Sequence, residues 1–123
     1  MRELGPIVVG ALARVEIPAA LWRKHRIREL GAAETEILIQ EFEADFEGSA
    51  DEAPRFAVVL LAPDVLARSA SLVATYGMRA YDGVQLASAL AARVAAPDCD
   101  SFACFDAELR TAAAAEGFDL LPA

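Results

Sequence analysis

From Phe56 onward, short apolar runs alternate with segments of helical period, and few folds accommodate that alternation. Phe56 to Leu61 is a continuous apolar run of strand length, as a strand buried on both faces would be. Pro63 suits the first turn of a helix running to Tyr76, and Gly77 breaks it. Arg79 to Ala95 has helical period, with Ala80, Val84, Ala87, Ala91 and Val94 on one face. Ser101 to Phe105 is strand-like, Asp106 to Glu116 is helical and stopped by Gly117, and Phe118 to Leu121 is a last strand. This succession favours an α/β fold with a parallel, helix-covered sheet.

The first half is less regular. Ile7 to Val9 is β-branched and apolar, as in a short strand. From Ala11 to about Leu30 the period is helical, with Leu12, Val15, Ala19 and Trp22 on one face. Pro18 lacks an N–H, so the helix is expected to kink there or to start near Ile17; Gly31 is the expected C-terminal stop. A second helix is expected from Ala32 to Glu47, with Ile37, Phe42 and Phe46 as its apolar stripe and Gly48-Ser49 at its end.

The length of 123 residues suits one domain spanning 1–123, and 56% hydrophobic residues supply a core. The net charge of −8 argues against a protein that coats nucleic acid with positive charge. Cys99 and Cys104 with the lone His25 are too few for a four-ligand zinc site. The two thiols read as reduced, which with an N-terminus (Met1 to Pro6, carrying Arg2 and Glu3) unlike a signal peptide implies the cytoplasm. No apolar run is long enough for a membrane span.

No Gly-rich phosphate loop and no nucleophile elbow is present, so carboxylate chemistry remains. Glu16 falls among Leu12, Ala13, Ala19 and Ala20, where a buried charge needs a metal or a cation such as Arg14 or Arg79, unless the side chain lies partly exposed at the edge of the stripe. Asp82 falls in the first turn of a helix, where the dipole favours an acid. Asp106 ends a strand and opens a helix, which taken alone favours an N-cap, although the same place is the ligand-binding edge of a parallel sheet. Three carboxylates at one edge need a cation, and all-oxygen ligation selects Mg²⁺ or Mn²⁺. Such ions promote phosphodiester hydrolysis. The only basic cluster is Trp22 to Arg28, in which Arg23, Lys24 and Arg26 could meet RNA phosphates or simply end a solvated helix.

Three segments resemble the PIN-domain nucleases. Leu12-Ala13-Arg14-Val15-Glu16-Ile17-Pro18-Ala19-Ala20-Leu21 is similar to the helix bearing that family's Glu. Arg79-Ala80-Tyr81-Asp82-Gly83-Val84-Gln85-Leu86-Ala87-Ser88-Ala89 resembles its R-x-x-D-x-x-x-L-A-x-A helix, the most specific of the three. Phe102-Ala103-Cys104-Phe105-Asp106-Ala107-Glu108-Leu109 is similar to its T-x-D-x-x-L strand end. The likeness runs from about Ile7 to the C-terminus and is greatest to the VapC-type toxin ribonucleases. It implies a parallel sheet flanked by helices and an Mg²⁺- or Mn²⁺-dependent endoribonuclease with Glu16, Asp82 and Asp106 as catalytic metal ligands. It also implies an RNA substrate, a cognate antitoxin and a homodimer.

Two departures from the family accompany this likeness. Cys104 stands where the family has Thr or Ser, and a thiol is a weaker hydrogen-bonding group. The family also opens with a strand ending in Asp and a further helix, roughly 30 residues in all. No Asp occurs here before Asp45, so that strand and one metal ligand are expected to be missing, through a start assigned downstream of the true one or through decay of the gene. The absent Asp and Cys104 favour a second reading, a non-catalytic module that binds an antitoxin or dimerises. A flavodoxin-like or receiver-like domain is a third, disfavoured by the lack of paired acids on an opening strand.

Overall fold

The computed structural model describes residues 7–123; Met1 to Pro6, from which the absence of a signal peptide was inferred, lie outside the described residues. The chain forms two compact units, Met1–Val58 and Val59–Ala123. The α/β class holds, with short strands among five helices. The described strands form two separate two-stranded sheets in place of the one sheet expected. No described helix is long and apolar enough to cross a membrane.

In the N-terminal unit, β1 (Ile7–Gly10) pairs with β2 (Phe56–Val59), and α1 (Ala13–Arg26) and α2 (Ala32–Glu47) lie between them in sequence. Pro18 neither starts nor ends α1, which begins at Ala13, five residues earlier. The first turn is anchored by Arg14. Its guanidinium meets the Glu43 carboxylate at 2.8 Å and Glu47 at 2.9 Å, and lies 5.3 Å from the Phe46 ring centre. These bonds raise the Arg14 pKa above its ordinary value, the hydrogen bond to Glu43 contributing most. Phe42, Phe46 and Phe56 form an aromatic cluster with centroids 5.7–6.3 Å apart.

Helix α1 ends at Arg26, short of Leu30, because Ile27 leaves helical geometry and Arg28 turns left-handed at φ 66°. Gly31 belongs instead to the start of α2. Its carbonyl accepts from the Thr35 backbone and hydroxyl, and its N–H donates to Glu34 Oε1 at 3.1 Å, half of a capping box. The expected stripe of α2 is not sealed, since Ile37 is 56% exposed. Strand β2 stops at Val59, and Leu60 beyond it is 72% exposed, so the run to Leu61 is not buried on both faces.

The C-terminal unit contains α3 (Pro63–Tyr76), α4 (Ala80–Ala95), β3 (Ser101–Ala103), α5 (Ala107–Ala115) and β4 (Asp119–Leu121). Strands β3 and β4 are parallel, pairing Ser101 with Asp119, Phe102 with Leu120 and Ala103 with Leu121. Val65, Leu72, Met78, Leu86, Leu90, Phe102, Leu109 and Phe118 are buried in one apolar cluster. The buried residues of α4 include Gly83, Leu86, Ala87 and Leu90, whereas Val94, grouped with Ala87 by periodicity, is exposed. A Cβ on Gly83 would stand 2.6 Å from Val73 Cγ2 and 3.1 Å from the Ser69 carbonyl oxygen, so only glycine lets α4 approach α3 so closely. Glu116, just past α5, ties this unit together. Its carboxylate accepts from the Tyr76 hydroxyl and pairs with Arg68, and its carbonyl accepts from Arg93, whose guanidinium lies 4.2 Å from the Phe118 ring centre.

Candidate carboxylate site

The carboxyl ends of β3 and β4 are joined by Arg110. Its Nη1 donates to the Cys104 carbonyl at 3.0 Å and its Nη2 to the Pro122 carbonyl at 2.8 Å, while the Cys104 N–H donates to the Leu121 carbonyl. Asp106 follows at once as the N-cap of α5, its Oδ2 accepting from the Leu109 N–H at 2.9 Å. That leaves Oδ1 with no partner among the described residues. Asp82 lies in the first turn of α4 with its side chain 15% exposed, 3.5 Å from Arg79 Nε. Arg79 is 83% exposed, so the pair is loosely held.

Cys104 lies just past β3, two residues before Asp106. Its thiol is pushed above the ordinary value mainly by burial; the charges of Asp106 and Asp82 add to the rise, while Arg110 and a backbone hydrogen bond at Asp106 oppose it. Cys104 and Asp106 follow the end of a parallel strand pair, the edge at which ligands collect in such sheets. As expected for a thiol, the hydrogen bond from Sγ is long, 3.9 Å to the Asp106 carbonyl. Cys99 and Cys104 are both free and half-buried. Beside this edge lies a cavity of about 610 Å³ lined by Phe105, Ala107, Arg110, Thr111, Ala114 and Leu120. Sequence reasoning passed over Arg110; the one available signal was its place four residues after a capping Asp, one helical turn on.

Glu16 stands in the N-terminal unit, on an exposed part of α1, and makes no hydrogen bond or ion pair among the described residues. Neither proposed cation serves it, because Arg14 is taken by Glu43 and Glu47, and Arg79 by Asp82. Exposure accounts for this: a solvated carboxylate needs no partner. Arg23, Lys24 and Arg26 are all exposed on α1.

Among the described residues no group of three or more His, Cys, Asp or Glu is placed to hold a metal ion. Two carboxylates still fit the chemistry of Mg²⁺, which keeps several of its waters and is often held through one or two carboxylates. No protein-family model matches this chain, and no curated protein sequence matches it.

Proposed function

We propose that the chain is a PIN-like, VapC-type endoribonuclease dependent on Mg²⁺ or Mn²⁺, with Asp82 and Asp106 as its metal ligands. The observation that carries this is Asp106, which caps α5 directly after the carboxyl end of β3 with its Oδ1 unpartnered among the described residues, while Asp82 opens α4 in the same unit. Among the described residues Asp106 has an unpartnered Oδ1, and Asp82 has one ion pair, to exposed Arg79, which is easily exchanged. A bound ion would supply charge neutralisation at a phosphodiester and an activated water. The N-cap bond fixes the Asp106 rotamer, and Arg110 ties the two strand ends together, so this carboxylate is positioned before any ion arrives. A toxin of this kind would act in the cytoplasm on RNA, be silenced by a cognate antitoxin, and work as a homodimer.

A second reading has its own support. Both aspartates already have structural tasks, one as cap and one as ion-pair partner, which suits a non-catalytic module that binds an antitoxin or dimerises. Calorimetric titration with Mn²⁺ separates the two. The nuclease reading expects binding that weakens at least tenfold in both Asp82→Asn and Asp106→Asn. Asparagine is as good an N-cap as aspartate, so Asp106→Asn spares α5 while removing the charge. Heat of Mn²⁺ binding identical in all three proteins, or none in any, would leave the module.

A further inference from the structure

Seven of the ten described lysines and arginines of this acidic chain are engaged. Among the described residues, Arg14, Arg55, Arg68 and Arg79 are in ion pairs, Lys24 pairs with Glu29 at 3.2 Å, Arg93 binds the Glu116 carbonyl and Arg110 binds two carbonyls. Arg23, Arg26 and Arg28 alone make no such contact, and they fall within six residues of one another. Carboxylates outnumber cations 19 to 11 in the sequence, so leaving three arginines unpaired side by side runs against the charge balance of the molecule.

Their setting is ordered. Arg23 and Arg26 are neighbours on α1 at a spacing of three residues, and Arg28 follows past the helix end. The turn is fixed by N–H bonds from Ile27 to the Arg23 carbonyl and from Arg28 to the His25 carbonyl, and by His25 Nδ1 lying 3.0 Å from the Leu30 carbonyl oxygen. Arg28 sits at φ 66°, a left-handed conformation that disfavours any side chain. Strain of this kind accumulates at functional positions. The negative end of the α1 dipole offsets part of the mutual repulsion.

We propose that Arg23, Arg26 and Arg28 form a binding site for the phosphodiester backbone of a nucleic-acid strand. Guanidinium groups match phosphate oxygens two at a time, and the one lysine of the cluster is the member already paired. An anionic membrane is the disfavoured occupant. A helix lying in a membrane surface needs its apolar and cationic residues on opposite faces, whereas exposed Val15 shares a face with Arg26, and Ile17 with Lys24. The choice of nucleic acid rests on the RNA reading above, but binding at these arginines needs no metal.

The test is fluorescence anisotropy of a labelled single-stranded oligo-RNA with the full chain in EDTA, across a salt series. EDTA removes metal, so binding is read whether or not the chain can cut. Three phosphate contacts give a slope of log affinity against log salt of about −2, and each Arg→Gln change flattens it by about 0.7. Arg23→Gln, Arg26→Gln and Arg28→Gln combined should abolish binding, while Lys24→Gln should change it less than twofold. Arg28→Gly should bind RNA more weakly yet melt higher, since glycine relieves the left-handed turn. Equal binding by the triple variant, no binding at low salt, or arginine-dependent binding to phosphatidylserine vesicles and not to RNA would each overturn the proposal.

Discussion

Among the described residues, every buried apolar side chain belongs to the C-terminal unit; the N-terminal unit's one fully buried residue is Thr35, a polar one. The C-terminal unit closes over Leu86, Leu109 and Phe118, with Glu116 linking Tyr76, Arg68 and Arg93 around the rim. The N-terminal unit relies on three phenylalanines and the Arg14–Glu43–Glu47 network, and leaves Val15, Ile27 and Ile37 more than half exposed. Burial of apolar area is the dominant favourable term in folding, whereas exposed ion pairs add little. The same division separates the two sets of functional candidates. Asp82 and Asp106 sit on the well-packed unit, which can hold them still, while the free arginines sit on the loosely packed one.

The contrast is most exposed to failure at the core. Leu86 has no exposed surface, and Leu86→Ala should cost about 3 kcal/mol in urea unfolding. Ile37→Ala, at a side chain 56% exposed, should change stability by about 0.5 kcal/mol or less. Equal losses would break the distinction between the units.

A smaller effect sharpens the account of the Glu116 link. The hydrogen bond to Glu116, followed by burial, raises the Tyr76 pKa above its ordinary 10.0. The folded state therefore holds this proton more tightly than the unfolded chain does. The resulting stability is complete below pH 10 and is lost as pH rises through the higher folded value. Tyr76→Phe should be less stable than the parent at pH 8, with the gap closing as pH climbs past 10; a gap independent of pH would remove the link.

The smallest effect is at the carboxylate site itself. In a Cys99→Ser background, Asp82→Asn and Asp106→Asn should each lower the Cys104 pKa and speed its alkylation by iodoacetamide at fixed pH. Unchanged rates in either variant would mean that its carboxylate does not bear on the thiol.

How far the sequence disclosed this arrangement varied with how local the cause was. Helices α2 and α3 have the bounds read from their punctuation, Ala32 to Glu47 and Pro63 to Tyr76, because glycine and proline act through their own backbone. Gly31 was assigned to the wrong helix, since a glycine between two helical runs can serve either, and the Glu34 side chain decided it. Of the face read on α4, Ala87 is buried but Ala80 and Val94 are exposed, and the close contact of Gly83 with Ser69 and Val73 was not legible in the stripe of alanines. The splitting of the strands into two sheets follows from pairing between distant residues, which local patterns do not encode. Of the site, Asp82 and Asp106 were legible as helix-opening acids, but their common influence on Cys104 and the Arg110 bridge appear only in three dimensions. The free state of Arg23, Arg26 and Arg28 was equally hidden, because it depends on where every other cation finds its partner.

The most direct test is cleavage of a labelled structured RNA by the purified chain with Mn²⁺, with EDTA, and with Asp106→Asn in place of the parent. Cleavage that requires Mn²⁺ and falls at least a hundredfold in Asp106→Asn, at unchanged melting temperature, is the predicted result. Cleavage that continues in EDTA, or that is equal in the folded variant, would contradict a metal-dependent nuclease built on these two aspartates.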